Sequence, residues 1–146
     1  MKNKFSILLI VSYLLAFSVN LMPSLKYPDV KVNISHLLAT LLFIFLLLMY
    51  SKKGSKTLKV FSIVGVVSGV LIFVVKTFEN AMLENAILDA IASIQYPLFL
   101  IFTTPIFGGN ILFNLSYGSY SLLMSLFYGA VLCLTLYFKK NVTRTV

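Results

Sequence analysis

The side chains able to do acid, base or nucleophilic work are few, and most border apolar runs. The chain has 146 residues, with 4 Asp and Glu, 12 Lys and Arg, 1 His and 1 Cys. Asp89 enters a long apolar stretch and Lys76 ends another. An ionisable group held within a bilayer is costly, and such groups usually mark functional positions. Asp89 and Lys76 are therefore the candidate functional polar residues. If the stretch around Asp89 spans, its carboxylate needs a partner, and Lys76 is the nearest in sequence. Lys76 also precedes Glu79 by three residues, an ion-pair spacing on a helix. As a lysine at a span end it fits a snorkelling anchor equally well. His36, beside Asn33 and Ser35, reads as a wet interfacial histidine rather than a proton carrier.

Metal binding needs several His, Cys or carboxylate ligands at ligand spacing, and the sequence has no such group. A Ser-His-Asp constellation could draw only on His36, and no nucleophile elbow, P-loop or dinucleotide fingerprint is present. Cys133 stands alone, so an intrachain disulfide is excluded, and its mid-segment position predicts a small residue at a helix contact. No catalytic residue, cofactor or metal is expected.

The elements that carry these residues follow from composition. The chain is 60% hydrophobic and 11% charged, against about 25% charged in a soluble domain. So little charge cannot cover a water-facing surface. The expected fold is an all-α integral membrane protein, a small polytopic helical bundle forming one membrane domain over 1–146. Continuous apolar runs such as Leu41 to Leu48 exclude the alternating pattern of a β-barrel.

Four spans are expected near 5–22, 33–50, 58–75 and 116–138. The first follows Lys2 and Lys4, ends at Pro23, and reads as an uncleaved signal-anchor. Asn33 or Ser35 would cap the second. The third carries Gly65 and Gly69 at GxxxG spacing, which lets another helix approach closely. In the last, Ser121, Ser125, Gly129 and Cys133 recur every four residues and make a small-residue seam suited to that glycine face. Tyr50, Tyr117, Tyr120 and Tyr137 fall near span ends, where interfacial aromatic belts form.

Residues 78–115 are harder to place. Leu83, Ala86, Ile87, Ala90, Ile91 and Ile94 fall on one helical face, with Glu84, Asn85, Asp89 and Gln95 opposite and Asn80 as N-cap. Pro97 and Pro105 interrupt the apolar run that follows. Gly108-Gly109 reads as its turn, with Asn110 and Asn114 satisfying the turn backbone. Charge counting decides how the region threads. With the lysine loop (Lys52, Lys53, Lys56, Lys59) inside, a segment 86–107 that does not cross gives nine Lys and Arg inside and three outside. A crossing segment gives six and six. The positive-inside rule favours the first. The expectation is four spans, with 78–115 forming an outer amphipathic helix and a partly inserted hairpin. The alternative is a fifth span over 86–107, kinked at Pro97.

The net charge of +8 gathers at span ends, which points to lipid rather than nucleic acid. Eleven Lys to one Arg suggests a bacterial chain. The function expected is that of a multi-pass protein of the bacterial plasma membrane with both termini cytoplasmic. It would be a binding, accessory or immunity-type protein, not an enzyme, whose partners are the bilayer and another membrane protein or a second copy. The alternative is a subunit of a small oligomeric transporter or channel that uses 89–110.

Overall fold

A computed structural model describes residues 2–83 and 85–144, and among these there are helices and no strands. Five stretches are long and apolar enough to cross a membrane: Lys4–Leu25, Ile34–Ser51, Lys56–Thr77, Ala86–Phe113 and Tyr117–Lys140. Four of them are single helices: α1 (Lys2–Leu25), α2 (Ile34–Ser51), α3 (Lys56–Thr77) and α8 (Tyr117–Arg144). Between α3 and α8 lie α4 (Glu79–Leu83), α5 (Ala86–Ala92) and α6 (Gln95–Leu98). A π-helical turn (Phe99–Thr103), a 3-10 stretch (Thr104–Gly109) and α7 (Asn110–Phe113) complete that region.

The local signals explain most of the boundaries. Asn33 caps α2: its side chain accepts from the His36 amide, and the Asn33 amide donates to His36 Nδ1 at 3.1 Å. His36 thus completes a capping box, which gives this residue a structural task. The helix α1 does not stop at Pro23 but continues to Leu25. A proline this close to a C-terminus removes one hydrogen bond, and its ring is buried against the bundle. The one-faced helix expected over 77–95 is split. Asn85, not Asn80, is the N-cap that restarts it, accepting from the Ile87 amide at 3.0 Å. Glu84 lies outside the described residues.

The helices pack as two antiparallel pairs, α1 with α2 and α3 with α8. Small residues dominate the buried faces of α1 and α3. On α1 the buried face is Ser12, Ala16, Asn20 and Ser24, one every fourth residue. On α3 it includes Ser62, Gly65, Ser68 and Gly69. A Cβ added at Gly65 would lie 2.6 Å from the Tyr128 ring, and one at Gly69 would lie 2.4 Å from the Ser121 carbonyl oxygen. Without hydrophobic driving force inside lipid, such close backbone approach supplies the dispersion contacts that hold helices together. Large apolar side chains such as Ile7, Leu14, Leu38, Phe45, Val67 and Leu126 point outward and are exposed.

The pairs also fix which ends lie together. Phe5 stacks on Tyr50, and a Cβ added at Gly54 would sit 2.9 Å from Lys139 Cα. The start of α1, the lysine loop and the end of α8 therefore share one end of the bundle. Gly118 lies against the Lys76 side chain, so the end of α3 and the start of α8 share the other. The region 78–116 leaves from that second end and returns to it.

Candidate functional site

The helix 95–113 is broken where it passes through the bundle, and the break has a chemical cause. Pro105 has no amide proton, so the Ile101 carbonyl four residues earlier has no helical donor. The chain responds with a π turn followed by a 3-10 stretch, whose carbonyls bond five or three residues on with poorer geometry and can still accept from side chains. In a bilayer any carbonyl left without a backbone donor must find one inside the protein.

Side chains from three other helices donate to carbonyls of this segment. Tyr13 of α1 donates its hydroxyl to the Ile101 carbonyl at 2.9 Å. On α8, Tyr128 donates to Phe102 at 2.8 Å and Tyr120 to Ile106 at 2.6 Å. The Pro105 carbonyl accepts both from Asn20 Nδ2 of α1 and from Thr40 Oγ1 of α2, each at 3.2 Å. Asn20 also donates to Thr40 at 2.9 Å, and the Ser24 and Thr104 hydroxyls hydrogen-bond to each other at 3.1 Å. Asn20, Thr40 and Thr104 have no solvent exposure at all. Asn20 Oδ1 is buried with no donor among the described residues.

Contacts trace the path of the broken helix. Phe99 stacks on Tyr117 at 4.0 Å, beside the start of α8. Phe102 reaches Phe61 at 5.1 Å and Tyr128 at 5.9 Å, towards the middle of the bundle. By Gly108 the chain is back at the start of α2, where an added Cβ would lie 2.1 Å from the His36 carbonyl oxygen. Asn110 then clasps Leu115, donating to its carbonyl at 3.0 Å and accepting from its amide at 2.9 Å. The segment dips in from one end, passes from the α3 side to the α1 and α2 side, and leaves by the same end. Gly108 and Gly109 are not its turn: both lie inside the 3-10 stretch, past the inner reversal, which falls between Phe102 and Ile106. A second reversal, into α8, comes at Asn114, whose φ of 51° is left-handed.

The remaining sequence candidates are placed as follows. Lys76 pairs with Glu79, not with Asp89. Asp89 is exposed on α5, along with Ile87, Leu88 and Ile91. Ser121 and Ser125 meet Gly69, while the nearest side chain to Gly129 is Val66, at 3.9 Å from an added Cβ. Cys133 is exposed rather than at a helix contact, because the buried face of α8 passes through Val131 and Thr135 instead. Tyr120 is 1% exposed, so it does not join an interfacial belt, and Tyr117 is half-buried against Phe99. They turn inward because the broken helix offers carbonyls and rings there. Tyr137 is exposed, and Tyr50 accepts from Ser6 at 3.2 Å.

The residues that sequence reasoning passed over are Tyr13, Asn20, Thr40 and Tyr128. Asn20 and Thr40 did leave a signal, being strongly polar residues within apolar runs. The four-residue recurrence of Ser12, Ala16, Asn20 and Ser24 left another. The Asn20→Leu variant is expected to lower stability by about 1 kcal/mol, because one of two donors to Pro105 remains. Combined with Thr40→Val, which removes the second side-chain donor to that carbonyl, the loss should exceed the sum of the single effects. Reversible unfolding in mixed micelles measures both.

By fold and hydropathy the chain is a multi-pass helical membrane protein with a broken helix at its centre. No family model, curated protein or solved structure matches it.

Proposed function

We propose that the chain is a non-catalytic binding or accessory protein of the bacterial plasma membrane. Its lysine-rich end faces the cytoplasm, and the broken helix enters from the outside. The observation that carries this reading is the unequal closure of the bundle. The broken helix joins the two helix pairs at one end, whereas a half-open cleft of about 380 Å³ separates α1 and α2 from α3 at the other. Among the described side chains Lys4, Lys52, Lys53, Lys56, Lys59, Lys139 and Lys140 belong to the cleft end. Lys26, Lys31 and Lys76 belong to the closed end. That asymmetry supports the orientation.

The transporter reading draws on the same broken helix, since discontinuous helices build transport sites. Here the carbonyls of Ile101, Phe102, Pro105 and Ile106 already accept protons from the chain itself, which favours a scaffold over an ion site.

Two measurements test the proposal. In a Cys133→Ser background, an impermeant thiol reagent on intact cells should label Ser93→Cys and spare Ser55→Cys. The reverse pattern overturns the orientation. Proteoliposomes carrying the chain should hold a potassium or proton gradient as long as empty vesicles do. A leak that disappears in Asp89→Asn would establish the transporter reading instead.

A further inference from the structure

The open cleft has a shape and a rim that specify a ligand. Its walls come from three helices: Ser6, Leu9 and Tyr13 of α1, Phe43 and Leu47 of α2, and Phe61 of α3 among them. They are almost entirely apolar. The polar atoms cluster instead at one mouth, where Ser6 donates to the Tyr50 hydroxyl and Thr57 lies nearby. Lys53 stands over this mouth, its Nζ 4.6 Å from the Phe5 ring centroid and 5.1 Å from that of Tyr50. Lys52 and Lys56 flank it in sequence. The described carboxylates, Asp29, Glu79 and Asp89, all belong to the opposite end of the fold, so among the described side chains none that is acidic competes for these ammonium groups.

We propose that this cleft holds one acyl chain of an anionic phospholipid, with its phosphate at Lys53 and Lys56. The assignment rests on the binding reading above and names its ligand. Within a bilayer the acyl chain gains little from leaving other acyl chains, since both surroundings are apolar. Residence in the cleft therefore comes from packing against the Tyr13, Phe43 and Phe61 rings, and selectivity comes from the headgroup. A zwitterionic lipid offers the same chain but no net charge. A partner's transmembrane helix would fill apolar walls equally well and would leave the cationic mouth without a counter-charge. The charge complementarity thus favours the lipid.

The chain contains no Trp, so a single Ile10→Trp at the cleft wall gives a clean fluorescent reporter. In nanodiscs of phosphatidylcholine, a minor fraction of acyl-brominated phosphatidylglycerol should quench it several-fold more than the same fraction of brominated phosphatidylcholine. In the reporter background, Lys53→Gln and Lys56→Gln should each reduce that preference about fivefold. Lys26→Gln and Lys31→Gln, at the far end, should leave it unchanged. In the parent chain, Leu9→Trp fills the cleft and should abolish the phosphatidylglycerol retained in native mass spectra while the helical circular dichroism stays intact. Equal quenching by the two lipids overturns the proposal. So does a preference that survives loss of both Lys53 and Lys56, or a purified chain that retains a protein partner and no lipid. A chain that conducts ions yet keeps the lipid preference overturns the non-transporting reading alone.

Discussion

Replacing Gly108 with alanine is expected to be the most damaging single methyl addition in the protein. The added Cβ would lie 2.1 Å from the His36 carbonyl oxygen and 2.6 Å from Thr40 Oγ1. Neither neighbour is a flexible side-chain end. The His36 carbonyl is in the first turn of α2, which Asn33 holds in a capping box, and Thr40 is bound to Pro105 and Asn20. Relief therefore requires the 3-10 stretch to withdraw from α2, and withdrawal breaks the bonds to the Pro105 carbonyl. Overpacking of this kind costs about 3 kcal/mol, and the lost hydrogen bonds add to it. The expected readout is a large drop in the midpoint of unfolding by sodium dodecyl sulfate, with helix content retained at low detergent. Stability within 1 kcal/mol of the parent would mean that the broken helix does not seat on α2.

The second large effect is expected on the α3–α8 seam. Gly69→Leu forces a side chain into a space where even a Cβ would lie 2.4 Å from the Ser121 carbonyl and 2.8 Å from Ser125 Cβ. Gly65→Leu would drive into the Tyr128 ring. Tyr128 also supplies the hydroxyl that caps Phe102, so a shift of its ring disturbs the broken helix as well. Each substitution should cost about 3 kcal/mol or more and should cripple the monomer's fold. Gly129→Ala is the matched control on the same helix pair. Its nearest neighbour is Val66 at 3.9 Å, and its effect should stay within about 0.5 kcal/mol. Unfolding in mixed micelles measures all three. If Gly69→Leu left the monomer intact and abolished only a dimer, the glycine face would belong to a second copy, not to α8.

Both predictions rest on features read at very different levels. The glycines at 65 and 69 and the serines at 121 and 125 announce a close helix contact by spacing alone. The backbone approach they permit is a property of the helical repeat. The clasp of Asn110 on Leu115 is legible for a similar reason, because an asparagine flanking a chain reversal bonds local backbone. Gly108 carries no such mark. Next to Gly109 it resembles a turn, and only its seat on the His36 carbonyl reveals a packing role.

What the sequence determined by itself is the class: scarce charge and uninterrupted apolar runs leave no stable fold but helices in lipid. It also determined the ends of most helices, since caps and lysine clusters act over a few residues. The course of 86–113 was beyond it. Length and hydropathy allow a crossing there, and Pro105 only states that one carbonyl will be orphaned. Which side chains donate to the carbonyls of this segment depends on Tyr13, Asn20, Thr40, Tyr120 and Tyr128, residues distant in the chain that meet only once α1, α2 and α8 have packed. Tertiary structure decided that the segment returns to its starting end, because hydrogen bonds lost from a broken helix must be replaced wherever the assembled bundle presents a hydroxyl or an amide.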